Sequence, residues 1–152
     1  MYFWNTKALS EDIKDSKLTD NDWKNYYLAG MIFLTLATYL IALNPRENIT
    51  SILTEAILMI GILIFGVSIT FNTHKASDNN TASYISKMTA LSFPLSVKFF
   101  TLSLLVGFIM GFAEGAGLSL AFSQAWLMVV LSVSVQVLFF WRLNIHLQSI
   151  NT

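Results

Sequence analysis

Four stretches of this chain are long enough and apolar enough to cross a lipid bilayer, and that constraint governs what the chain can fold into. Hydrocarbon offers no water to satisfy the backbone, so each crossing segment pairs its own amides as a helix of roughly 17 to 25 residues. The stretches cover residues 26–43, 49–71, 97–120 and 125–143. The expected fold class is all-α: an integral membrane protein with four transmembrane helices. Hydrophobic residues make up 55% of the chain and charged residues 12%, about half the charged share of a soluble protein, which excludes a water-soluble core. At 152 residues, four spans leave room for one compact unit and no separate soluble domain.

The connections set the expected pairing. Asn44 to Asn48 is a short polar turn in which Pro45 stops one helix and lets the chain reverse. The third connection, Ser119 to Gln124, is equally brief. One sizeable cytoplasmic loop lies between them, over 72–96. Its amphipathic stretch, Tyr84 to Leu91, is expected to lie on the membrane surface and to end near Pro94. These lengths predict two antiparallel hairpins, preceded by a segment over 1–25 and followed by a tail over 144–152.

Lys and Arg near span ends are retained in the cytoplasm, whereas acidic residues count for little. Lys7, Lys14, Lys17 and Lys24 precede the first span, Lys75, Lys87 and Lys98 flank the long loop, and Arg142 closes the fourth span. Only Arg46, of the nine bases, falls on the other side. Both termini are therefore expected in the cytoplasm, and the expected location is a cell membrane, the inner membrane of a bacterium.

Residues 1–25 lack the basic start and the small-residue cleavage site of a signal peptide, and are expected to be retained. Tyr2, Phe3 and Trp4 suit the headgroup zone. A short interfacial helix within Lys7 to Lys17 would turn only Leu9 and Ile13 to one face, a weak amphipathic signal. Thr19 and Asp22 have capping-box spacing, flanked by Leu18 and Trp23 as a hydrophobic staple, which starts the first membrane helix near Asp20. Trp4, Trp23, Trp126, Trp141 and Arg142 are the expected interface anchors.

The densest local pattern is G-F-I-M-G-F-A-E-G, with Gly107, Gly111 and Gly115 at four-residue steps. Small residues at that spacing let two helix backbones approach closely, and a partner within the same chain is the favoured expectation over a second copy. Gly66 is assigned to helix packing as well. Glu114 lies about 20° from Gly107 on the helical wheel, and Glu55 aligns with Met59, Ile62 and Gly66. Both acids are expected at similar depth near the outer surface. An ionisable group there costs on the order of a few kcal/mol unless it is protonated, paired or hydrated. One reading makes Glu55 and Glu114 a polar pocket that shares a proton or binds a cation. The plainer reading satisfies them at the interface through water, Arg46, Trp126 or Gln124. Thr35 and Thr38 in the first span, with Ser132 and Gln136 in the fourth, are expected to bond to helix carbonyls or to a neighbouring helix.

Cysteine is absent, which removes disulfides, thiolate metal sites and thiol catalysis. His74 and His146 stand alone without a metal-ligand spacing, so no metal and no cofactor is expected. Zero net charge argues against nucleic acid. No nucleophile, base and oxyanion pattern is visible, and an enzyme is not expected, an intramembrane one drawn from several helices being the minor class. The leading expectation is a non-enzymatic scaffold, adaptor or regulatory subunit, surrounded by lipid and associating through its helix faces with a membrane protein or with itself. The alternative is an oligomeric ion or proton channel, carrier or membrane-permeabilising effector using Glu55 and Glu114.

Overall fold

The computed structural model describes residues 2–42, 48–76, 82–116 and 124–151. Five helices follow one another: α1 (Thr6–Lys14), α2 (Asp20–Ala42), α3 (Ile49–Lys75), α4 (Tyr84–Gly115) and α5 (Gln124–Asn151). Three of them, α3, α4 and α5, are long and apolar enough to cross a membrane. Helix α2 opens on Asp20, Asn21, Asp22 and Lys24, which leaves it a shorter apolar run. The expected turn around Pro45 and Arg46, and the connection before Gln124, lie outside the described residues.

Local chemistry explains the helix ends. Asn5 Oδ1 accepts the Ala8 amide at 3.1 Å, capping α1. At the other end Lys17 N–H donates to Asp12 O at 2.9 Å and Ser16 N–H to Ile13 O at 3.1 Å, a Schellman arrangement. It requires a left-handed residue, and Ser16 supplies it with φ 54°. Thr19 and Asp22 form the capping pair of α2: Thr19 N–H donates to Asp22 Oδ2 at 3.0 Å, and Asp22 N–H to Thr19 Oγ1 at 3.3 Å. Asn48 Oδ1 accepts the Ser51 amide at 3.1 Å and starts α3.

The buried core sits at one end of the long helices rather than along their middles. Leu9 and Ile13 of α1, Tyr26 of α2, Leu91 and Phe93 of α4, and Leu143, Leu147 and Ile150 of α5 converge there. Leu9 and Ile13 are 0% and 1% exposed, so the weakly amphipathic helix of the sequence is a core element. Phe3 and Phe93 meet edge to face at 5.6 Å, and the Tyr2 amide donates to Tyr26 Oη at 2.7 Å, which seats the chain ahead of α1 on the same cluster.

This core corrects two expectations. The segment over 72–96 is not mainly a loop, because α3 continues to Lys75 and α4 begins at Tyr84. Helix α4 passes through Pro94 without ending. A proline inside a helix removes one hydrogen bond and costs about 3 kcal/mol, but Phe93, Pro94 and Leu95 are all buried here and packing holds the helical path. The tail over 144–152 is likewise helical to Asn151, because Leu147 and Ile150 bury in the core that α1 completes.

The pairing also differs from two self-contained hairpins. Among the described residues α2 packs mainly on α4, α3 on α5, and α4 on α5, while α1 crosses α4 and α5. Of the two expected hairpins, the second is an extensively packed pair among the described residues. Aromatic rings explain the first swap: Phe33 of α2 meets Phe93 and Phe100 of α4 edge to face at 6.5 and 5.2 Å. Polar ties explain the second. Thr73 Oγ1 donates to Asn144 Oδ1 at 2.7 Å, and Gln136 Nε2 donates to Met59 O at 3.3 Å, both joining α3 to α5.

Candidate functional site

Two kinds of glycine occur on the long helices. Gly66 of α3 is buried, and a side chain there would collide with the ring of Phe140 on α5. Gly107, Gly111 and Gly115 of α4 are different: a Cβ at any of them would meet nothing within 4 Å. Among the described residues no atom of another element packs on this stripe, whereas Gly66 takes the Phe140 ring against its bare backbone.

Gly107 lines a cavity of about 650 Å³ bounded by parts of all four long helices, with Leu34, Met59, Phe99 and Phe139 in its walls. Ser103, Ser132 and Gln136 bring polar atoms to it. Both hydroxyls donate to carbonyls of their own helices, Ser103 to Phe99 O at 2.9 Å and Ser132 to Val129 O at 3.0 Å. Gln136 spends its amide nitrogen on Met59 O, which leaves its buried Oε1 without a donor. Thr35 and Thr38 of α2 bond back to Met31 O and Leu34 O, each at 2.9 Å. The protons of these four hydroxyls are thus given to helix backbone, and the cavity keeps Ser96 and the Gln136 amide oxygen beside its apolar walls.

The two acids are carried by different helices. Glu55 stands in the second turn of α3, half-buried and with a partner. Glu114 belongs to the last turn of α4, and its side chain lies outside the described residues. Of the expected partners, Arg46 and the side chain of Gln124 lie outside the described residues too. Among the described residues no group of three or more His, Cys, Asp or Glu is placed to hold a metal ion.

The residues expected as interface anchors occupy distinct settings. Trp126 stands in the first turn of α5 and Trp141 past its middle, 39% and 57% exposed. Arg142 lies over the Trp141 ring at 5.6 Å, and Lys98 over the Trp4 ring at 5.9 Å. Trp23 is part-buried against the core instead.

The sequence marks Lys87 as a base that orients the chain and as part of the amphipathic stretch over Tyr84 to Leu91. Its side chain is fully buried, and among the described residues its Nζ has no hydrogen-bond partner. Nearby His74 is buried, its Nδ1 likewise without a partner among the described residues and its ring 5.6 Å from that of Tyr84. Lys87 shares a helical face with Tyr84 and Leu91, and that spacing was the available signal. No protein-family model matches the chain, and neither a curated protein nor a solved structure does.

Proposed function

We propose that this chain is a non-enzymatic membrane scaffold or regulatory subunit, crossing a bacterial inner membrane four times with both termini in the cytoplasm. In this reading it docks a helix of another membrane protein, or of a second copy, against the glycine face of α4. The observation that carries it is the space left open among the described residues beside Gly111 and Gly115, one and two turns beyond Gly107 at the rim of the inter-helix cavity. Backbone can approach there without displacing any side chain, and shallow backbone contact is how helices associate where lipid cancels the hydrophobic drive.

Two further features support the reading. Only 6% of the apolar window of α3 and of α4, and 17% of that of α5, is buried within the chain, so most of the apolar surface is left for lipid or for other helices. The fourth crossing is assigned to α2 because eight of the nine bases share one side only with an even number of spans.

Association in liposomes tests the docking. Gly111→Leu and the double variant Gly107→Leu/Gly111→Leu should lose self-association or cross-linking to a co-purified membrane partner while keeping the thermal midpoint of the parent. Unchanged association would reject the glycine face. Because the chain has no cysteine, single cysteines at Ser83 and Ser149 can be labelled from either side, and both should react only from the cytoplasmic face. An acid-dependent ion flux abolished by Glu55→Gln or Glu114→Gln would replace the scaffold reading with a channel.

A further inference from the structure

A cavity of about 540 Å³ opens where α1 crosses α4 and α5. Lys98, Arg142 and His146 give it a cationic end, and Phe99, Leu102 and Leu138 continue from it as an apolar wall. No Asp or Glu lines the cavity, and among the described residues neither Lys98 nor Arg142 forms an ion pair. What they touch is neutral. Lys98 Nζ donates to Thr6 Oγ1 at 3.1 Å and stacks on Trp4, Arg142 stacks on Trp141, and His146 Nδ1 meets Ser10 Oγ at 3.2 Å. An ammonium and a guanidinium each carry several donors, so both keep hydrogen-bonding capacity for another group.

We propose that this cavity binds an anionic phospholipid, its phosphate held by Lys98 and Arg142 and an acyl chain laid along Phe99, Leu102 and Leu138. Clustered cations facing an apolar wall gain most from an anion, because their charges are otherwise uncompensated. The wall runs directly from the cationic end, which fits an amphiphile better than a small free anion. Helix α1 closes the site from the side: Thr6 and Ser10, both buried, aim their hydroxyls at Lys98 and His146. Basic pockets between helices at the cytoplasmic surface are where anionic headgroups are recognised. The proposal does not depend on α4 docking another helix, since the glycine stripe and this cavity are separate.

The test uses the full chain in detergent, titrated with phosphatidylglycerol, with phosphatidylcholine and with inorganic phosphate, while thermal midpoint and lipid retention in native mass spectrometry are read. Phosphatidylglycerol should raise the midpoint and stay bound, phosphatidylcholine should do neither, and Lys98→Gln/Arg142→Gln should weaken retention by about thirtyfold, roughly fivefold per base. Arg142→Gln alone, at an exposed position, covers the case in which the double variant does not fold, and Lys98→Arg/Arg142→Lys should retain the lipid. Equal effects of both lipids, or full retention by the glutamine variants, overturn the proposal. A midpoint shift reproduced by inorganic phosphate alone would overturn the lipid assignment in favour of a soluble anion.

Discussion

The ring of Phe140 occupies the place that a side chain at Gly66 would need, so α3 and α5 meet through a bare backbone on one side and an aromatic face on the other. Gly66→Ala should therefore cost about 1–3 kcal/mol, the usual penalty of overpacking a tight contact. Thermal unfolding in detergent measures it. The same substitution in a Phe140→Leu background should cost less, and equal costs in the two backgrounds would dissociate Gly66 from the ring.

Ser16 holds a left-handed backbone, φ 54°, at the C-terminal turn of α1. Glycine adopts that conformation without a Cβ penalty, so Ser16→Gly should stabilise the fold by about 0.5–1 kcal/mol, and Ser16→Val should destabilise it. The ranking glycine above serine above valine in thermal midpoint is the check.

Lys87 is buried, and among the described residues its Nζ has no hydrogen-bond partner. An unsatisfied buried polar group costs about 1–3 kcal/mol, and methionine keeps the length of the stem while discarding the ammonium. Lys87→Met should accordingly raise stability by about that amount. A lower midpoint for the methionine variant would show that the ammonium has a favourable partner in solution.

Asp22 caps α2, and its carboxyl is held below the usual range first by the Thr19 hydroxyl and then by the Thr19 amide. A lowered folded value means the cap contributes fully above the ordinary carboxylate value of about 3.9 and is lost as pH falls through the lower folded value. Protection of the Thr19 amide, its exchange slowed relative to the intrinsic rate at each pH, should therefore fall away only in strong acid. In Asp22→Ala, where no acceptor remains, that protection should be absent throughout.

Helix positions were legible because apolar runs and capping residues are local signals: Thr19 and Asp22 meet as their spacing indicates. Partner choice was not legible, since it depends on which faces meet across the chain. Leu9 and Ile13 are too few to make a strong period, yet they complete the core. Pro94 read as a stop, and burial of its neighbours carries the helix past it. The three spaced glycines marked where a helix can be approached, while the close approach within the chain uses Gly66, because a motif describes a surface and not its neighbour. Lys98, Arg142 and His146 come from two helices, and only the fold gathers them around one cavity.

A core assembled at one end has a consequence for the order in which the protein is made. Helix α1 leaves the ribosome before the helices it packs on, and its Ser10 meets His146 across 136 positions of sequence. The first segment must stay uncommitted through the insertion of every later one. Completion of α5 is then the event that seals this end of the bundle, so a chain interrupted before Leu147 would carry an unsealed bundle, with Leu9 and Ile13 exposed to proteases.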